Sequence, residues 1–252
     1  IAVVLIGVLG WRSVWGLAAG AALVCACVLP WLLRTNRTPS APATNEAGQG
    51  LYNRHWTRGE ALGHWLFWVI ALGFFAPPVF GTALFFHQVH LVEVKGWTLQ
   101  GYTAFMPAFT LASVTMMVLS GGIVDRLGTT RLMPLCLVPF SAALMCLSLV
   151  DGFWIVPIGL GLFGATQGMM ITLSAALWPE IYGTQHLGKV RSVATALMVL
   201  GSALGPGVTG ALIDWGVTFE AQMIAMAAYM LAISSLYIWV FARVGRALAA
   251  AP

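Results

Sequence analysis

Seven stretches of this chain, near residues 13–33, 62–86, 102–124, 132–150, 153–177, 192–213 and 220–242, are apolar and carry no Lys, Arg, Asp or Glu in their central parts. A hydrocarbon layer of about 30 Å takes roughly 20 helical residues to cross, and each stretch is long enough or nearly so. Inside that layer no water can satisfy backbone N–H and C=O groups, so a spanning segment must be a helix or a strand of a closed barrel. The stretches are too long for barrel strands and lack a period of two. The expected fold is therefore all-α, a polytopic transmembrane helix bundle. Residues 1–10 read as the tail of an eighth apolar run, and the chain is expected to be a fragment of a longer protein. Composition agrees: 60% of residues are hydrophobic and 8% charged, against about 25% charged in a soluble domain.

The connections are short except at residues 34–61, a polar stretch rich in Ser, Thr, Asn, Pro and Gly that reads as a flexible linker. The net charge of +4 does not point to nucleic acid, because the basic residues are dispersed among connections and form no patch with interleaved aromatics. They are dispersed unevenly. Arg34, Arg37, Arg54, Arg58, Arg126, Arg131, Lys189, Arg191, Arg243 and Arg246 fall on one side of the predicted bundle, and only Arg12 and Lys95 on the other. Positive charge collects on the cytoplasmic side, which predicts that the linker and the C-terminus are cytoplasmic. Trp11, Trp31, Trp65, Trp97, Trp154, Trp178, Trp215 and Trp239 lie near run ends, as interfacial anchors do. Cys25, Cys27, Cys136 and Cys146 lie within apolar runs and are expected to be free thiols that fill space. No metal site and no cofactor is expected.

The most specific motif joins the third and fourth runs: Gly121-Gly122-Ile123-Val124-Asp125-Arg126-Leu127-Gly128-Thr129-Thr130-Arg131. Gly128 suits a tight reversal and Gly121 a close helix approach. Asp125 is placed to face the positive N-terminus of a neighbouring helix. The segment resembles the G-x-x-x-D-R-x-G-x-x-R cytoplasmic loop of the major facilitator superfamily, with Thr129 and Thr130 where that family often carries further basic residues. The resemblance implies twelve helices in two halves joined by a cytoplasmic linker. It assigns residues 1–33 to the end of the N-terminal half (part of its fifth helix and its sixth), 34–61 to the linker, and 62–252 to the C-terminal six-helix half with a short cytoplasmic tail. His87-Gln88-Val89-His90, Trp178-Pro179-Glu180-Ile181-Tyr182-Gly183 and His186-Leu187-Gly188 are similar to stretches in the monocarboxylate and oxalate/formate branches. Those branches commonly carry a basic residue in their eighth or eleventh helix, and its absence here argues against a carboxylate substrate.

The penultimate run contains Gly201, Gly205, Pro206 and Gly207. Small residues four apart allow close packing in lipid, and Pro206 leaves a carbonyl without its helical donor and bends the helix. The run at 153–177 has Gly161, Gly164 and Gly168, and the run at 62–86 has Pro77-Pro78. Gln167 is the most polar group at membrane depth and needs a partner there; it reads as a cavity contact or as a bridge between helices. Thr82, Thr110, Ser113, Thr172 and Ser202 are candidates to line the same cavity, although short hydroxyls often bond back to their own helix. His87 and His90 stand near an outer end, as pH-sensitive groups or as interfacial residues beside Glu93 and Lys95.

The function these features imply is secondary transport of a small solute by alternating access, with a coupling ion or proton as a further partner beside the bilayer. The chain is expected to need its missing N-terminal half, to show no alternating access alone, and to reside in a bacterial inner (plasma) membrane. A non-transporting receptor or sensor on the same scaffold is the alternative. A polytopic enzyme is disfavoured, since H-E-x-x-H, G-x-S-x-G and paired intramembrane carboxylates are absent from the sequence. No G-x-x-x-x-G-K-[ST] loop occurs that would bind ATP.

Overall fold

The computed structural model describes residues 2–33 and 50–249. The chain divides into two compact units, 1–44 and 45–252. In the first, α1 (Ala2–Leu33) departs from helical geometry at Gly10, whose φ of 75° and ψ of 154° only glycine adopts without strain. The break separates residues 1–10 from the next apolar stretch, and the apolar span runs from Gly10 to Val28. Cys25 and Cys27 are exposed on α1; of the four cysteines only Cys136 is fully buried.

The second unit holds α2 (Arg58–Gly63), α3 (Trp65–Phe86), α4 (Gln88–Val94), α5 (Leu99–Ala104), α6 (Met106–Leu127), α7 (Thr129–Leu132), α8 (Val138–Leu149), α9 (Ile155–Tyr182), α10 (Leu187–Asp214) and α11 (Phe219–Ala249). Among the described residues seven helical segments are long and apolar enough to cross a membrane, six of them here: 65–86, 99–127, 129–149, 155–182, 187–214 and 219–246. The described residues contain no strand. Several spans overrun the expected apolar stretches, notably α9 past residue 177 and α10 before residue 192. Hydropathy marks only the hydrocarbon layer, whereas a helix continues into the headgroup zone until something stops it. Gly128 and Gly183, with φ of 81° and 74°, stop α6 and α9 at what we call the loop end.

Two parallel helix pairs carry the packing. On α9, a Cβ added at Gly164 or Gly168 would overlap the backbone carbonyl oxygens of Phe109 or Ser113 on α6, and one turn on the Thr172 hydroxyl donates to the Met117 carbonyl at 3.0 Å. On α10, Gly205 meets the Val79 carbonyl of α3 in the same way, and Gly201 lies against the Phe75 and Val79 side chains. Contact positions rise together on both members of each pair, so the helices run in the same direction. Small residues let them approach backbone to backbone. The antiparallel pair α8 and α11 is tied instead by hydroxyls: Ser141 donates to the Ala227 carbonyl at 3.1 Å and Ser148 to that of Glu220 at 2.9 Å. Phe163 joins the layers. It stacks on Phe140 of α8 with centroids 4.0 Å apart, meets Phe85 and Phe109 at 5.3 and 5.0 Å, and fills the space over Gly81.

Two expectations change at the loop end. Residues 50–63, part of the polar linker by composition, are folded against α9: the Trp56 N–H donates to the Tyr182 carbonyl at 3.0 Å, and Leu51 and Trp56 are buried. Residues 34–49 lie outside the described residues. Trp178 is no interfacial anchor. It is buried among Phe67, Phe74 and Tyr182, while Trp65, Trp154, Trp215 and Trp239 are exposed as anchors are.

Two titratable groups hold the folded linker segment. The Thr57 N–H donates to the Glu60 carboxylate at 2.7 Å and the Glu60 N–H returns a bond to the Thr57 hydroxyl, which caps α2. Bonds from the Thr57 backbone and hydroxyl hold the Glu60 carboxyl below its ordinary value. His64 accepts from the Leu66 N–H at 3.3 Å, and partial burial, with Arg54 nearby, lowers its pKa. Both groups have folded pKa values below their unfolded ones. Their contributions are therefore complete at neutral pH and are lost as pH falls, first through that of His64 and then through that of Glu60. The protection of the Trp56 and Leu66 amides against hydrogen exchange, relative to an unfolded chain at the same pH, should fall in those two steps, and His64→Gln should remove the first.

The parallel seams yield a second test. Gly164→Ala and Gly168→Ala should each lower stability by about 1–3 kcal/mol, because the carbonyl they meet belongs to rigid backbone. Gly161, one turn earlier, faces open space. Gly161→Ala should be neutral or raise stability by up to about 1 kcal/mol through helix propensity. Thermal melts in detergent read the contrast, and an equal effect at all three positions would refute it.

Candidate functional site

Pro206 sits inside α10 and has no N–H, so the Ser202 carbonyl four residues earlier lacks its helical donor. In hydrocarbon that orphan requires another partner. It is supplied from α3, where the Thr82 hydroxyl lies 3.1 Å from the Ser202 oxygen. The same hydroxyl is 2.6 Å from the Pro78 carbonyl and 3.1 Å from that of Val79, so one proton is shared among three oxygens. One turn further, His87 Nε2 lies 3.0 Å from the Pro206 carbonyl. A carbonyl only accepts, so the ring must carry its proton on Nε2. Pro77 and Pro78 likewise leave the Gly73 and Phe74 carbonyls of α3 without helical donors, and two tyrosines of α11 donate to other carbonyls of α3: Tyr229 to Leu72 at 3.2 Å and Tyr237 to Ile70 at 2.8 Å.

Around Pro206 a cleft of about 910 Å³ lies between α10 and α3, although α10 runs from Leu187 to Asp214 without a non-helical residue. Thr82, Ser202 and His87 line it together with Phe85, Pro206, Gly207 and Asp214. It is thus a mainly apolar space with two hydroxyls, an imidazole and a carboxylate on its wall. Asp214 was missed at the sequence level, because it falls just beyond the apolar run and belongs by position to the interface. Gly207 corrects the expectation that it packs against a helix. A Cβ there would meet nothing within 4 Å, since Gly207 faces the cleft while Gly201 and Gly205 form the seam. The Ser202 hydroxyl bonds back to the Val199 carbonyl at 2.8 Å. His90 is half-buried with its ring 6.4 Å from Phe219, outside the cleft lining.

The remaining candidates lie along the other seam. Ser113 and Thr110 are on α6, half-buried and exposed respectively, and half-buried Gln167 precedes Gly168 on α9. Thr172 spends its proton on the Met117 and Gly168 carbonyls. The candidates therefore divide between the α3–α10 cleft and the α6–α9 seam, and Gln167, Thr110, Ser113 and Thr172 are not among the residues lining that cleft.

The signature loop also differs in detail. Gly128 makes the expected reversal, but a Cβ at Gly121 would meet nothing within 4 Å, so no described helix approaches there. Asp125 is exposed on the last turn of α6 and caps no helix; neither α7 nor α10 has a side-chain N-cap. The acid that fastens the loop is Glu180 of α9, which accepts a bond from the buried Thr129 hydroxyl. Arg126 and Arg131 are exposed beside it.

If Thr82 stands in for the donor that Pro206 lacks, the two residues must be energetically coupled. Thr82→Val should destabilise the native protein, and in a Pro206→Ala background, where the N–H returns, it should cost less. The coupling expected of an intramembrane hydrogen bond is about 0.6–1.7 kcal/mol. A double-mutant cycle in detergent measures it, and additivity would refute the pairing.

No curated protein matches this chain. The profile of the Major Facilitator Superfamily matches residues 1–128 and 105–250, two segments that overlap across α6 and the signature loop. With seven apolar spans, an all-helical bundle and a family match over nearly its whole length, the chain belongs to the Major Facilitator Superfamily of membrane transporters.

Proposed function

We propose that this chain supplies the C-terminal six-helix half, and the end of the preceding half, of a secondary transporter that moves a small solute by alternating access. The observation that carries this reading is the α3–α10 cleft. It lies at a proline whose freed carbonyl is held by a hydroxyl from the facing helix, and it combines an apolar wall with a few polar groups. Such a wall suits a small, largely uncharged solute, with no fixed cation to attract a carboxylate. His87 and Asp214 are the titratable groups on it, and they are the candidates for coupling to a proton. Gln167, Thr110 and Ser113 flank the other seam and would contact solute from that side.

The faces of α6 and α10 support the two-half arrangement. Leu111 and Val118 are 69% and 68% exposed and Val199 62%, wide apolar surfaces for a second helical half or for lipid. The excess of Arg and Lys at the loop end favours a cytoplasmic loop, linker and C-terminus, as in a bacterial inner membrane.

Uptake into vesicles tests the proposal. Vesicles containing the gene product that carries this chain should take up a small neutral solute from a test panel, unchanged chemically, under an imposed proton gradient. Gly207→Trp should reduce uptake to the background leak without loss of folded protein, because the side chain enters the cleft. Residues 1–252 alone should show no such uptake. Chemical conversion of the solute, binding without flux, or unaltered flux in Gly207→Trp would overturn the reading.

A further inference from the structure

A second cleft of about 910 Å³ lies at the loop end, between the α6–α7 reversal and the last turns of α11. It is remote from the α3–α10 cleft and shares no residue with it. Three arginines line it: Arg126 and Arg131 from the loop, and Arg246 from α11. No carboxylate does; Asp125 precedes Arg126 but is not among the lining residues. The rest of the wall is largely apolar, including Leu135, Ile238 and Phe241.

Charge and depth together define what fits. Like-charged guanidinium groups drawn around one cleft repel each other, and a bound anion relieves this; planar guanidinium donors match phosphate oxygens in pairs. Trp239, 53% exposed with Arg243 stacked 3.8 Å over its ring, marks the level where α11 leaves the hydrocarbon. Ile238, beside it in sequence, lines the cleft at that level, and Arg246 lies two turns further out. The cleft is therefore cationic on its headgroup side and apolar on its hydrocarbon side. Gly245 allows it to narrow, since a Cβ there would stand 3.3 Å from the Thr130 hydroxyl.

We infer that this cleft binds an anionic phospholipid, with the phosphate of the headgroup among Arg126, Arg131 and Arg246 and the acyl chains leaving along Leu135 and Ile238. The lipid bridges the signature loop and the end of α11, two elements that move apart if the loop rearranges. This assignment rests on the membrane fold and does not depend on the transported solute.

Native mass spectrometry of the detergent-purified chain, titrated with short-chain phosphatidylglycerol or phosphatidylcholine, tests the inference. Phosphatidylglycerol should bind far more tightly than phosphatidylcholine, and the triple variant Arg126→Gln/Arg131→Gln/Arg246→Gln should weaken it roughly 100-fold, as expected for three basic contacts at a membrane surface. Lys189→Gln/Arg191→Gln removes charge at the same end but outside the cleft and should change affinity less than threefold, a shift below the weight of one contact. All three arginines are exposed, so the variants should fold, and an unchanged melting temperature without lipid checks this. Ile238→Glu should weaken phosphatidylglycerol while leaving the arginines in place. Equal losses in the two arginine-lysine sets would show diffuse attraction and overturn the site. Inorganic phosphate that displaces the lipid at comparable concentration would show a free phosphate site and overturn the lipid assignment.

Discussion

In the larger unit α9 lies backbone to backbone on α6, where Gly164 and Gly168 sit directly against the carbonyls of Phe109 and Ser113. Lipid tails are as apolar as leucine side chains, so burying apolar surface does little to hold helices together in a membrane. Dispersion contacts between backbones and a few interhelical hydrogen bonds must do it, and both need small residues at the right spacing. The seam also places Phe163, which precedes Gly164, at the junction of α3, α6, α8 and α9. With α3 and α10 paired through Gly201 and Gly205, two parallel seams carry the bundle, and serine hydroxyls join α8 to α11.

The cleft follows from the same constraint. A proline in a membrane helix leaves an unsatisfied carbonyl, and it is tolerated where a neighbour provides a donor or a cavity provides water. At Pro206 both are present: Thr82 reaches the Ser202 carbonyl, His87 reaches that of Pro206, and the cleft lies beside them. The Gly201–Gly205 seam holds the pair together next to it. The groups that repair the helix are therefore the groups that line the opening, which is why Thr82, Ser202 and His87 meet there.

Much of this was legible in the sequence because hydropathy is a one-dimensional signal. The spans, the break near Gly10, the reversal at Gly128 and the family all follow from local patterns. Direction around a helix axis is not local. Gly121, Gly161 and Gly207 look like packing residues in sequence, yet they face open space, whereas Gly164, Gly168, Gly201 and Gly205 carry the contacts. Trp178 sits at a run end as an anchor would, but α9 continues past it and an aromatic cluster covers it. Thr129, which seemed a departure from the loop pattern, makes the bond to Glu180, because the fold brings together residues 51 positions apart. Asp214 was overlooked because it lies outside the apolar run, although the cleft reaches the helix end.

The central claim is that the α3–α10 cleft is a water-accessible part of the solute path and does not face lipid. Cysteine at position 207, in a background lacking Cys25, Cys27, Cys136 and Cys146, measures this directly. A charged, membrane-impermeant thiol reagent reacts only with thiolate, and a thiol ionises only where water reaches it. The account predicts that Gly207→Cys in vesicles of the intact gene product is labelled, and that saturating solute shifts labelling from one face of the membrane towards the other. A thiol at position 207 that stays inert from both faces, with and without solute, would contradict it.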